Sequence, residues 1–159
     1  MEIDGLTFHL TTIIHLSQYH YDIGMSLYSM TKGKDADDVL IYIVDQIKRG
    51  IVHIEGETPE LRSNIAKITA TAVLNAVASS DHVAALSYST FALSLLPINR
   101  WESHYELSLW FSIQSAKSCF SVGNVGKAQC IVQEVIEQCH SLQDKLPAYF
   151  LLALSKCPI

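Results

Sequence analysis

The stretch Gly123–Cys139, GNVGKAQCIVQEVIEQC, decides the fold class. Val125, Ala128, Val132, Val135 and Cys139 recur at helical spacing, and Lys127, Gln133, Glu134 and Glu137 take the opposite positions. This is the period of a helix with one buried face, and Gly123 and Asn124 supply the turn that precedes it.

The same period extends outward on both sides. From Trp101 to Val122, Tyr105, Leu109, Ile113, Ala116 and Phe120 keep one stripe, and Leu107, Trp110 and Phe111 make a second apolar surface. Such a helix is expected to be buried on more than one side. Before it, Asp81 to Leu96 places Ala84, Tyr88, Phe91, Ala92 and Leu95 on one face, and Pro97 forbids continuation. Thr58, Pro59 and Glu60 read as cap, first helical position and dipole-compatible acid of a helix running to Ala78, with Leu61, Ile65, Ile68 and Ala72 on a face. Asp35, with Asp37 and Asp38, opens another helix with the stripe Leu40, Ile43, Val44 and Ile47. Lys48 and Arg49 suit its negative end, and Gly50 is expected to close it in the left-handed conformation.

At the N-terminal side, Leu16, Tyr19, Ile23, Leu27 and Met30 form one stripe from Ile13 to Met30, ended by Thr31 to Lys34 with Gly33. At the other end a short helix is expected from Leu146, with Pro147 in its first turn and Tyr149, Phe150, Leu152 and Ala153 apolar. Ile51 to Ile54 has no alternating partner with which to form a strand pair. The chain therefore reads as all-α, about six or seven helices arranged as antiparallel pairs.

Length and composition bound the rest. A chain of 159 residues fits one domain, 1–159, and can bury a core without metals or disulfides. With 49% hydrophobic and only 17% charged residues, much of it must hide from water internally or against neighbours, as expected of a piece of a larger protein. A net charge of −5 without a basic run beside aromatics argues against nucleic acid as a partner. The uncharged run His82 to Asn99 carries Ser87, Ser89, Thr90 and Ser94 and stops at Pro97, which favours a buried helix over a membrane span. Glu2 and Asp4 stand where a signal peptide requires basic charge, so a cytoplasmic location is expected.

No catalytic, cofactor-binding or metal-binding residue is expected. Gly123 and Gly126 form neither GxGxxG nor a P-loop, and no Ser or Thr follows Lys127. Cys119, Cys130, Cys139 and Cys157 contain no CxxC pair, and the first three fit helical patterns as small apolar fillers. His15 and His20 share a helix without the spacing and third group of a metal site. His104 and His140 lack the setting of phosphoacceptors. The aromatics Tyr88, Phe91, Trp101, Tyr105, Trp110 and Phe111 read as core, with a ligand groove as the alternative.

The last two long helices resemble a tetratricopeptide hairpin, in which Trp101, Tyr105, Gly123 and Ala128 take the aromatic and small packing positions, and Tyr88 and Phe91 of the preceding helix complete the expected helix-pair packing signature. A wider resemblance covers most of the chain. Ala84-Ala85-Leu86-Ser87-Tyr88 through Ala92 to Pro97, then Trp101 and Tyr105-Glu106-Leu107, resemble the helical region between the AAA-like ATPase and GAF/histidine-kinase modules of fungal and cyanobacterial hybrid sensor histidine kinases. Gly123, Ala128, Asp144-Lys145, the segment Ile43 to Ile47 with Gly50, and His20 to Leu27 continue the similarity. Val73 and Asn75 depart from it, standing where that family has a glycine and a basic residue. The resemblance implies a non-catalytic connector in a stress-response phosphorelay, a fragment or truncated form of a larger signalling protein. Its expected partners are proteins, either flanking domains or a second copy. A small molecule held in an aromatic groove is the alternative.

Overall fold

The computed structural model describes residues 3–31 and 37–156, with side chains over 12–31 and 37–154. Gly33, Lys34, the expected cap Asp35 and Cys157 lie outside the described residues. Among those described the protein is all-α, with nine helices and no strand. They are α1 (Ile3–Thr31), α2 (Asp37–Arg49), α3 (Ile51–Ile54), α4 (Pro59–Ala78), α5 (His82–Leu95), α6 (Arg100–Ser103), α7 (Tyr105–Ser121), α8 (Val125–Gln138) and α9 (Leu142–Lys156). Length argues for one domain, whereas packing divides the chain into two compact units, 1–62 and 63–159. The boundary falls in the first turn of α4.

In the first unit α1 packs on α2, and α3 on both. Ile43, Val44 and Ile47 of the expected α2 stripe are buried, joined by Gln46. The two helices approach where side chains vanish. A Cβ on Gly24 would lie 2.6 Å from Ile47 Cγ1 and 3.0 Å from the Ile47 nitrogen. A Cβ on Gly50 would lie 2.6 Å from Tyr21 Cβ and 2.8 Å from the Ser17 carbonyl oxygen. Gly50 has φ −99°, so its expected left-handed role is corrected. It is required for close approach to the α1 backbone. Polar ties complete the contact: Tyr21 Oη donates to Glu57 Oε1 at 2.5 Å, and His20 Nδ1 lies 2.7 Å from Gln46 Oε1.

In the second unit α7 is central, packing on α5, α6, α8 and α9. Trp101, Ile113, Ala116, Val132, Val135, Cys139, Ala148 and Leu151 form one buried cluster, flanked by Tyr105, Leu109 and Phe120. The α7 stripe and the α8 stripe thus meet as the periodicity implies, except that Val125 at the α8 start is exposed.

Two boundaries differ from the sequence reading. The helix expected from Trp101 to Val122 breaks at His104 (φ −138°, ψ 47°), leaving α6 as a separate turn. The Arg100 carbonyl accepts from the His104 amide at 2.8 Å and, across the break, from the Ser108 hydroxyl at 3.1 Å. The last helix starts at Leu142 rather than near Leu146, because the Ser141 hydroxyl accepts from the Asp144 amide at 3.1 Å and caps it. Pro147 therefore lies inside α9, beyond its first turn.

The α4–α5 and α7–α8 connections share one turn design. The Asp81 amide bonds the Ala76 carbonyl and the Asn124 amide bonds the Cys119 carbonyl, both at 2.8 Å. Ser80 (φ 58°) and Gly123 (φ 79°) take the left-handed position. Asp81 and Asn124 then cap the following helix, accepting from the Ala84 and Lys127 amides at 2.9 and 3.2 Å.

Candidate interaction surfaces

Where α6, α7, α8 and α9 converge, aromatic side chains carry polar handles. Trp101 Nε1 donates to Glu134 Oε1 at 2.9 Å, and Arg100 pairs with the same oxygen. Tyr105 Oη donates to Asp144 Oδ2 at 2.8 Å and accepts from the His140 amide at 3.1 Å, while its ring stacks on the His140 ring at 4.1 Å. Desolvation, reinforced by the Asp144 carboxylate, pushes the Tyr105 hydroxyl up to about 12. The hydroxyls of Ser141 and Tyr105 hold Asp144 below the usual carboxylate range. These bonds tie the start of α7 to the start of α9. Their effect is to fix the orientation of α9 on the core.

The outer side of α9 is apolar. Leu142 (70% exposed), Leu146 (55%), Tyr149 (44%), Phe150 (64%) and Leu154 (56%) follow the helical period on the side opposite buried Ala148 and Leu151. A groove of about 400 Å³ runs beside it between α7 and α9, lined by Leu109, Trp110, Ile113, Lys117, Gln143 and Pro147 among others. In the first unit the α1 stripe also faces outward: Leu16, Tyr19 and Met30 are exposed, and Ile23 and Leu27 half-buried. Tyr19, Asp22, Ile23, Ser26 and Leu27 of α1 border a second groove with Tyr42 of α2, about 540 Å³.

Of the expected packing positions, Phe91, Trp101 and Ala128 are buried, Tyr88 and Tyr105 half-buried, and Gly123 makes the α7–α8 turn. The aromatics considered as a groove are distributed otherwise. Trp110 lines the α7–α9 groove and stands edge-on to buried Phe111, whereas Trp101 packs edge-on to Tyr105. Cys119 and Cys139 are buried, and burial pushes both thiols up; Cys130 is exposed, so its expected role as a filler is corrected. His15 is exposed and His20 is bonded to Gln46. Among the described residues no group of three or more His, Cys, Asp or Glu is placed to hold a metal ion, and no helix is long and apolar enough to cross a membrane.

Two features escaped the sequence reading. Ser108, Ser112, Ser115 and Ser118 of α7 and Ser89 of α5 are buried beside the apolar stripes of those helices. Their recurrence on α7 at helical spacing was the available signal of a close-packed face. The second is the α9 cap, signalled by Ser141 three residues before Asp144. Compared with known proteins, the chain matches no family model, no curated protein and no solved structure at a significant level.

Proposed function

We propose that this protein is a non-catalytic helical interaction module that relays a signal by docking against other protein surfaces. The observation that carries the reading is the outward apolar face of α9, backed by the groove between α7 and α9. Exposed apolar area of this extent on one helix marks a surface that is covered in use. The polar junction at Tyr105 supports it, because a docking helix must be held rigidly to present a defined face. The resemblance to the helical connector of hybrid sensor histidine kinases supplies the more particular proposal, a cytoplasmic element of a stress-response phosphorelay. Cross-linking with mass spectrometric mapping tests the reading. Cross-links to a protein, another chain or a second copy, at α9 are expected, and their absence at every concentration would sink it.

The groove favours a second reading, a regulator that binds a small molecule beside Trp110. Saturable quenching of indole fluorescence by a metabolite, lost in Trp110→Leu, is its expected outcome. Unchanged melting across a broad metabolite screen would remove it.

A further inference from the structure

We propose that the groove between α1 and α2 binds a small organic cation, a protonated amine on an apolar or aromatic body, with its charge at Asp22 and its body running toward Tyr42. This inference rests on neither reading above, because it concerns a different site, in the first unit.

The lining sets the sign of the charge. Among the described residues that border the groove, Asp22 is the one acid and no Lys or Arg is present. Its carboxylate accepts from Gln18 Nε2 at 2.8 Å, a neutral donor that leaves the negative charge in place. No Lys or Arg occurs in α1, and Lys48 and Arg49, which end α2, do not border the groove. Asp38 and Asp45 stand one turn to either side of Tyr42 on α2 and add a field of the same sign. A cation is drawn to this groove and an anion is repelled.

Helix geometry sets the order of the parts. Helical side chains lean toward the N-terminus, and Asp22 does so, since its bond reaches back four residues to Gln18. The carboxylate therefore lies over the turn of Tyr19, at one end of the groove. Ser17 meets Arg49 and Gly24 meets Ile47, so α2 runs antiparallel to α1. Tyr42, five residues before Ile47, thus lies beyond Gly24 in the direction of Leu27. From Tyr19 to Leu27 the groove runs about 12 Å along α1.

The remaining side chains suit the body of such a ligand. Ile23 and Leu27 are half-buried and give an apolar floor, while Tyr19 (64% exposed) and Tyr42 (50%) leave ring surface open. A tyrosine face attracts a cation through its quadrupole and also packs against hydrocarbon, so one ring serves head and body alike. The Ser26 hydroxyl, one turn after Asp22, adds an acceptor for an ammonium hydrogen. About 540 Å³ is within the range of small-molecule sites.

Titration of the full chain with three probes that share one body, followed by heteronuclear NMR of the backbone amides, tests the proposal: phenethylammonium, phenethyl alcohol and phenylacetate. The ammonium should bind with a Kd of about 1 mM, as for a small ligand in an open groove, and move the amides of Tyr19, Asp22, Ser26, Leu27 and Tyr42. The alcohol keeps the ring and chain without the charge and should bind about tenfold more weakly. Phenylacetate should give no saturable shift. Asp22→Asn should bring the ammonium down to the level of the alcohol and leave the alcohol unchanged, while Tyr42→Ala weakens both. Glu102→Gln, an exposed acid of the second unit, should change neither. Circular dichroism should report the same helicity in every variant, since the substituted side chains are exposed. No saturable shift by the ammonium at about 20 mM, equal affinity for ammonium and alcohol, or a preference that survives Asp22→Asn overturns the inference. Saturable shifts confined to residues outside the groove overturn it as well.

Discussion

Gly50 and Gly24 carry different costs although each marks a close approach. A methyl on Gly50 meets the Ser17 carbonyl and the Tyr21 backbone nitrogen, which cannot rotate away. Gly50→Ala should destabilise the first unit by about 2 kcal/mol. At Gly24 the nearest atom belongs to the Ile47 side chain, and alanine regains about 1 kcal/mol of helix propensity. Gly24→Ala should therefore cost less than Gly50→Ala, and urea unfolding followed by circular dichroism orders the two. At the paired turns the expectation reverses. Ser80 holds a left-handed φ that glycine adopts freely, so Ser80→Gly should gain about 0.5–1 kcal/mol, while Gly123→Ala loses about 1 kcal/mol.

For α7, the element-scale question is its serine face. The hydroxyls of Ser112 and Ser115 are buried without a hydrogen-bond partner, and a buried unpaired hydroxyl is a cost that removal relieves. Ser115→Ala should raise stability by about 1 kcal/mol in the same urea assay. For α9 the element is anchored through Tyr105 and Asp144. A carboxylate held below its ordinary range contributes stability that is present above its unfolded pKa of about 4 and is lost as pH falls through the lower folded value. The Tyr105 hydroxyl, raised to about 12, contributes stability present below about 10 and lost as pH rises through 12. Tyr105→Phe should cost about 1 kcal/mol near neutral pH. It should also flatten the stability profile at both extremes, which pH-dependent melting reads directly. Unchanged profiles would mean that Tyr105 anchors α9 through its ring alone.

Within the second unit, thiol reactivity reads the core at the scale of the whole molecule. Cys119 and Cys139 are buried with thiols pushed up by desolvation, and Cys130 is exposed. Of these three thiols, mass-mapped alkylation should label Cys130 first, and Cys119 and Cys139 only as that unit unfolds. Equal rates at all three positions would contradict the packing of α7 against α8 and α9.

Helix class, the α2 and α8 core faces, the Thr58 cap and the stop at Pro97 were legible in the sequence alone. Each rests on neighbours within one or two turns of the chain. The Thr58 hydroxyl indeed accepts from the Leu61 amide at 3.3 Å. The break at His104 was not legible, because the Ser108 bond that supports it is made only after the chain has turned. Nor could periodicity tell which apolar face stays uncovered: the α1 and α9 stripes satisfy the same rule as the buried stripe of α8. Gly50 shows the limit most directly. Its place after Lys48 and Arg49 suggests a helix stop, but only the approach of α1 makes a Cβ impossible there. Local order follows from spacing along the chain, whereas burial and close approach depend on what packs from far along it. The tertiary structure alone decided which stripes became core and which remained exposed.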